Sequence, residues 1–345
     1  MTDGFEARIA NYLAARIDGA NDVHVGNLSR IHGGASCETY RLRARYHLHG
    51  RLVDRGLILR RDPPSGLIET ERATEFAAYR AFQQSRVPVP EVFWLENDPQ
   101  WLDRPFFVME EIENCTAGSI LAANSYGAHA EKIGAQFWSA LGHIAATSPA
   151  GLDGAKIHVP RPDECWRIEL AKWEKVIDED EREPQPIARA AIRWLKRNPP
   201  PAPSAVRVVH GDYRTGNFLF DAEGNLRAIL DWEMVHAGDP HEDLGWALDP
   251  LWSPHLPDRP GGMIGQREAI KLWEKASGLK VDRAALTWWR MFSMVKGLAI
   301  WISAGAEYQD GKNVDPVMAF SSWYCTAMHN KSLADALARN VRGLA

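Results

Sequence analysis

Three oxygen-bearing side chains fall within one short stretch: Asp212, Asn217 five positions later, and Asp231. Val206, Val208 and Val209 make an apolar run that leads straight into His210-Gly211-Asp212. After Asn217 come Phe218-Leu219-Phe220, a tight turn at Asp221–Asn225, and a strand over Leu226–Leu230 that ends at Asp231. Such a β-hairpin brings its outer ends together, and with them the three polar side chains. Phosphoryl transfer is the chemistry that calls for this set. Its transition state is loose, so a protein mainly positions groups and neutralises phosphate charge. An aspartate beside an acceptor hydroxyl orients it and takes its proton, while an amide oxygen and a second carboxylate suit Mg²⁺, a hard cation.

That chemistry also needs a loop over the phosphates, a cation on them and an acid to hold the cation. Gly33-Gly34-Ala35-Ser36 lies between strands expected at Val23–Ile31 and Thr39–Leu48. Glycines there let backbone N–H groups approach phosphate oxygens, so Gly33, Gly34 and Ser36 are nucleotide-site candidates; the bland alternative is a plain turn. No GxxxxGK[ST] loop occurs anywhere. In the strand Gly56–Arg61, period-two alternation sets Ile58 and Arg60 on one face and Leu57 and Leu59 on the other. Ile58 is placed to line an adenine pocket and Arg60 to fork onto phosphate oxygens. The alternative is a pair of solvated arginines at a strand end. The partner acid belongs on a helix over Leu67–Ser85, where Glu69, Glu71 and Glu75 are candidates.

The series His210-Gly211-Asp212-Tyr213-Arg214-Thr215-Gly216-Asn217, Leu230-Asp231-Trp232-Glu233 and Gly238-Asp239-Pro240-His241-Glu242-Asp243-Leu244 resembles the motifs of the aminoglycoside phosphotransferase family. It is most similar to the subgroup of kinase-like domains attached to some acyl-CoA dehydrogenases, which often carries an LRR-type strand like Leu59-Arg60-Arg61. The resemblance implies an α+β, bilobal protein-kinase-like fold, with a small, mostly antiparallel β lobe bearing a helix and a larger, mainly helical lobe. It further implies ATP and Mg²⁺ as cofactors, Asp212 as catalytic base, and Asn217 and Asp231 as metal ligands. His210 would support the catalytic loop and Asp243 would be a structural acid bonded to it. Glu75 becomes the partner of Arg60. Phe106–Ile112 resembles the last small-lobe strand and hinge, where backbone groups of Glu110 and Ile112 would meet adenine.

The elements that must position these residues fall into two halves. Residues 1–112 read as an amphipathic helix over 5–17, the strands above, the Leu67–Ser85 helix, and strands at Glu91–Glu96 and Pro105–Glu110. Residues 113–345 read as mostly helical, at Ala128–Thr147, Pro162–Ile177, Pro186–Arg197 and from Gly262 onward. A net charge of −5 argues against a non-specific nucleic-acid partner. Cys37, Cys115, Cys165 and Cys325 form no CxxC or zinc pattern. No signal peptide is evident, and no apolar run approaches the roughly 20 residues needed to span a bilayer. A cytoplasmic protein with no membrane partner is expected; oligomeric state is not legible.

The C-terminal third holds Trp246, Trp252, Trp273, Trp288, Trp289, Trp301 and Trp323, most of them expected in the core. No carboxylate cluster suited to a polycationic sugar is evident there. Residues 283–307 are mostly apolar, with Arg290 and Lys296. An acceptor with a sizeable apolar part and an anionic group is expected, such as a hydroxyacyl-CoA or another apolar alcohol rather than an aminoglycoside. The alternatives are a nucleotide-binding pseudokinase-like regulatory module, or a protein kinase, although D-F-G and A-P-E segments are absent.

Overall fold

The computed structural model describes residues 2–31, 37–63, 72–152, 155 and 157–342. Helix α1 (Thr2–Arg16) precedes three strands, β1 (Ala20–Ile31), β2 (Glu38–Leu48) and β3 (Arg51–Arg61). Helix α2 (Arg72–Phe82), strand β4 (Val92–Glu96), the short α3 (Pro99–Leu102) and strand β5 (Phe106–Glu110) follow. The five strands form one antiparallel sheet in the order β1-β2-β3-β5-β4. Strand β3 begins five residues before the expected Gly56. His49 and Gly50, both at positive φ, close a two-residue hairpin that pairs Leu48 with Arg51 and so extends the ladder.

Alternation along β3 sorts the sheet's two faces as expected. Leu57 and Leu59 join Ile9, Tyr12 and Leu13 of α1 in one core. Ile58 faces the opposite way, against Tyr79 and Phe82 of α2 and Phe107 and Met109. Phe82 stacks on Trp232 with ring centroids 4.5 Å apart, so α2 is tied to the segment that carries Asp231.

The remaining chain is mainly helical. Strand β6 (Cys115–Ala117) pairs with β8 (Phe218–Asp221), which pairs with β9 (Leu226–Ile229), while β7 (Arg207–Val209) pairs with β10 (His236–Gly238). The helices are α4 (Ala130–Ala146), α5 (Cys165–Asp180), α6 (Pro186–Arg197), α7 (His241–Ala247), α8 (Gln266–Ser277), α9 (Arg283–Gln309), α10 (Pro316–Phe320) and α11 (Thr326–Arg342). A π-helical turn, Ser321–Cys325, joins the last two. Helix α9 runs through the core of this half, burying Trp288, Trp289, Phe292, Val295 and Leu298. Gly142 lets α4 approach α8, since a Cβ there would lie 2.7 Å from the Trp273 carbonyl oxygen. Trp246, Trp252, Trp273, Trp288 and Trp289 are core residues, whereas Trp323 is 73% exposed. Among the described residues, no helix is long and apolar enough to cross a membrane.

Candidate active site

The loop after β7 is held from below by buried polar groups. Asp243, on α7, accepts the backbone N–H of His210 at 2.6 Å and of Gly211 at 2.9 Å. Burial pushes its pKa up to about 6. Gly211 has φ +86°, and a Cβ there would meet the Met234 carbonyl oxygen at 2.4 Å, so only glycine fits this crossing. His210 is fully buried: Nε2–H donates to Leu230 O at 3.0 Å while Nδ1 accepts the Asp212 N–H at 3.2 Å. Burial lowers its pKa to about 4, consistent with this neutral tautomer. The loop's third support is Lys296, whose ammonium donates to Gly211 O at 2.6 Å and pairs with Glu242 at 3.0 Å.

Asp212 sits at the end of this loop, nearly buried and heavily hydrogen-bonded. The Trp246 indole N–H donates to Oδ1 at 2.8 Å, and Asn217 Nδ2 donates to Oδ2 at 2.6 Å. Arg214 Nε lies 3.0 and 3.1 Å from the two oxygens. Burial raises the Asp212 pKa despite the opposing Arg214 charge. Asn217 spends its amide nitrogen on Asp212, so the assigned orientation leaves Oδ1 as the atom turned away, with no hydrogen bond among the described residues. The Leu230 N–H donates to Asn217 O at 2.8 Å, which sets Asn217 beside Asp231. Asp231 itself adopts the left-handed conformation (φ 67°, ψ 58°), and its N–H donates to the Tyr79 hydroxyl at 2.9 Å. Burial alone would raise its pKa, but Arg60 and then Arg214 outweigh burial and hold it low. Asp212, Asn217 and Asp231 are thus brought to one place. An amide oxygen and a carboxylate are the donors a hard divalent cation takes, so Asn217 and Asp231 fit Mg²⁺.

Arg60 reaches this place from the sheet. Its Nη2 lies 2.9 Å from Asp231 Oδ1, its Nε 3.0 Å from Glu75 Oε1, and Glu233 is 3.6 Å away. Glu75 is buried and also pairs with Arg72, which in turn holds Asp62 at 2.9 Å. Ile58 shares the Arg60 face within the Tyr79–Phe107–Met109 cluster. At the expected hinge, the Glu110 N–H donates to Glu91 O at 2.8 Å, whereas the Ile112 N–H makes no hydrogen bond among the described residues. Gly33, Gly34 and Ser36, like Glu69 and Glu71, lie outside the described residues.

Three residues here escaped the sequence reading. Arg214 had a usable signal, a cation two positions after Asp212. Arg72 and Trp246 had none, because only the fold brings them in. Lys296 corrects an expectation: it is a buried support of the loop and not part of an acceptor pocket. Asp239 is likewise structural, bonded to His241 and to the Trp289 indole at 2.9 Å. Glu169, His236 and Glu242 have spacing that could hold a metal, all ligand atoms lying within 4.8 Å. The Lys296 ammonium already supplies the positive charge there.

Beside Thr215 a small cleft is lined by Ser119, Ile120, Tyr126, Trp252 and His255, with no carboxylate on its wall. The Arg214 guanidinium, bonded to Asp212, lies 5.0 Å from the ring centre of Trp252, which lines this cleft.

The sequence model of the phosphotransferase enzyme family matches residues 27–279. A region of acyl-CoA dehydrogenase family member 10 of Mus musculus is 28% identical over 205 residues, which are 57% of this chain and 18% of that protein. The chain therefore spans a small fraction of that relative. A Ralstonia eutropha protein assigned as an aminoglycoside phosphotransferase superposes with a TM-score of 0.71 at 18% identity, covering 96% of this chain and 98% of its own. A thermostable mutant of the aminoglycoside phosphotransferase APH(4)-Ia, in a ternary complex with ADP and hygromycin B, superposes at 0.54 with 15% identity, covering 95% of this chain and 98% of its own.

Proposed function

Because the chain belongs to the phosphotransferase enzyme family, we propose that it transfers the γ-phosphoryl of ATP to a hydroxyl of a small molecule with a large apolar part. One observation carries the reading: Asp212 and Asn217 are hydrogen-bonded, Asp231 is set beside them, and Arg60, paired with Glu75, contacts Asp231. In this reading residues 1–112 bind the nucleotide, with Ile58, Glu110 and Ile112 at the adenine and Gly33, Gly34, Ser36 and Arg60 at the phosphates. Residues 113–345 carry the base, the metal ligands and the acceptor cleft.

Asp212 orients the acceptor hydroxyl and takes its proton as the new P–O bond forms and the bond from the γ-phosphorus to the bridging oxygen breaks, releasing ADP. Its carboxylate is kept in one orientation by Trp246, Asn217 and Arg214, so it pays little reorganisation at the moment of reaction. Arg60 forks onto phosphate oxygens while Glu75 fixes its direction. Asn217 Oδ1 and the Asp231 carboxylate would hold Mg²⁺, which when bound neutralises charge on the phosphates.

For the acceptor, a cleft whose described lining carries no carboxylate disfavours polycationic sugars. The likeness to part of an acyl-CoA dehydrogenase family member supports a hydroxyacyl-CoA. The test is to incubate the chain with Mg²⁺-ATP and separate panels of hydroxyacyl-CoAs and aminoglycosides, following ADP release and transfer of labelled phosphate. Transfer to hydroxyacyl-CoAs alone is expected. Transfer to aminoglycosides alone would overturn the acceptor assignment, and ADP release from neither panel, with Asp212→Ala no different, would overturn the phosphotransfer reading.

A further inference from the structure

Away from the phosphotransfer site, two grooves on the helical half meet at one side chain, Arg290 of α9. The larger, of about 650 Å³, runs between α8 and α9 and carries Arg267, Lys271 and Arg283. The smaller, of about 180 Å³, lies between α7, α9 and α11 and carries Arg339. Arg290 lines both, and neither groove is lined by Asp212, Asn217 or Asp231.

The charge in these grooves is not balanced locally. Among the described residues, the guanidinium groups of Arg267, Arg283, Arg290 and Arg339 make no hydrogen bond and no ion pair within 4 Å, and Lys271 has only a loose contact with Glu268 at 3.6 Å. The carboxylates that line the grooves are already engaged. Glu274 holds Lys280 at 2.9 Å and the Val281 N–H at 3.0 Å, Asp335 holds Lys331 at 2.8 Å, and Asp249 accepts from Leu251 N–H and faces His329. In the sheet, by contrast, Arg43, Arg45, Arg60 and Arg61 all have carboxylate partners. The cost is greatest at Arg290. Burial draws its pKa below the usual guanidinium value, Asp249 counters only through space, and the like charge of Arg339 adds to the penalty. A half-buried guanidinium without a local counter-ion is costly unless an anion completes it.

We propose that these joined grooves are a second anion site, which takes a ligand bearing two or more phosphate groups, with Arg290 at the junction and Arg267, Arg283 and Arg339 on its rims. Guanidinium forks match phosphate oxygens in bidentate fashion, and four of them over two grooves call for more than one phosphate. Ile270, Val281 and Leu286 on the wall of the larger groove give a carbon skeleton somewhere to rest. The ligand is a free polyphosphate or the diphosphate of an organic molecule, and the assignment does not depend on the phosphotransfer reading.

The experiment is calorimetric titration of the chain, without divalent metal, with sodium pyrophosphate and in parallel with ADP. Binding is expected, with affinity falling as salt rises, and weakened about tenfold or more both in Arg290→Ala/Arg339→Ala and in the exposed pair Arg267→Ala/Arg283→Ala. ADP binding tighter than that of pyrophosphate, kept in Arg60→Ala and weakened in both arginine pairs, identifies an organic diphosphate, and equal binding with that same dependence a free polyphosphate. Should Arg290→Ala/Arg339→Ala fail to fold, the exposed pair still decides. Binding that is lost in Arg60→Ala but unchanged in both arginine pairs belongs to the nucleotide cleft and overturns the site. So does no binding, or an equal response to malonate at matched ionic strength.

Discussion

Arg60 spans the cleft, with Nη2 2.9 Å from Asp231 Oδ1 and Nε 3.0 Å from Glu75 Oε1. The first contact is an aligned hydrogen bond. The second is electrostatic, since Nε and Oε1 are close without meeting hydrogen-bond geometry. A guanidinium spreads its donors over a rigid planar fork that reaches acids on opposite walls at once, whereas an ammonium concentrates its donors on one nitrogen and would have to approach both acids from a single point. Arg60→Lys is therefore expected to keep the fold, raise KM for ATP and lower kcat/KM by roughly 10- to 100-fold. Steady-state ADP release checks this. Unchanged kinetics would show that the fork is dispensable.

Trp246 donates its indole N–H to Asp212 Oδ1 at 2.8 Å. This bond favours the ionised carboxylate and opposes the burial that raises the Asp212 pKa. In Trp246→Phe the donor goes while most of the aromatic volume stays. The Asp212 pKa should rise further, so the acidic limb of the kcat/KM profile moves to higher pH. At neutral pH kcat is expected to fall about tenfold with little change in KM for ATP. A merely structural tryptophan would leave the limb where it is.

Asn217 has two separable tasks, because Nδ2 holds Asp212 and Oδ1 is directed elsewhere. Asn217→Ala should raise the Mg²⁺ concentration needed for half-maximal activity and lower kcat on the order of 10²-fold. Asn217→Asp restores an oxygen donor but loses the N–H that faces Asp212. Its Mg²⁺ requirement should recover more than its kcat. Activity curves against Mg²⁺ for the two variants test the division; parallel curves with equal loss would refute it.

How much of this was legible in the sequence follows the range of the interactions. The hairpin of β8 and β9 joins Asn217 to Asp231 and follows Asp212 by a few residues, so residue spacing was enough to bring the three together. The two faces of β3 were equally legible, since strand periodicity is local. The start of β3 was misplaced because His49-Gly50 closes its turn through backbone conformation, with no apolar residue to mark it. Trp246 and Lys296 lie 34 and 85 residues from their partners Asp212 and Gly211. Each looked like one more residue of a helix, and only the packing of α7 and α9 under the loop gives it a role.

Lys296 sits among Glu242, Gly211 O and the rings of Trp173 and Trp246, almost wholly buried. Removing one member of such a buried pair leaves an uncompensated charge. Lys296→Met is expected to destabilise the chain by about 3–5 kcal/mol. Lys296→Met/Glu242→Gln should cost clearly less than the sum of the two single changes, because the pair is coupled. Urea unfolding of the four proteins closes the cycle, and strict additivity would show that the ion pair does not support the loop.

The same network makes stability depend on pH through His236. Both of its ring nitrogens face acceptors, Nδ1 at 2.9 Å from Met234 O and Nε2 at 3.0 Å from Glu242 Oε2, so the imidazolium satisfies both. Burial alone would lower its pKa. Glu169 and Glu242 outweigh burial and raise it from 6.5 to about 9, although Lys172 opposes them. A histidine whose folded pKa lies above its unfolded value binds its proton more tightly when folded. Its contribution is therefore complete below pH 6.5 and fades as pH rises through about 9. The loss is up to about 3 kcal/mol. His236→Gln keeps a donor for Glu242 but cannot titrate, so it should be less stable than the parent at pH 6 and show a smaller drop between pH 6 and pH 9.5. Groups that titrate elsewhere act on both proteins and cancel in the difference. Urea midpoints at the two pH values supply the measurement, and a gap between parent and variant that stays constant across them would rule out a charged His236 in the folded chain.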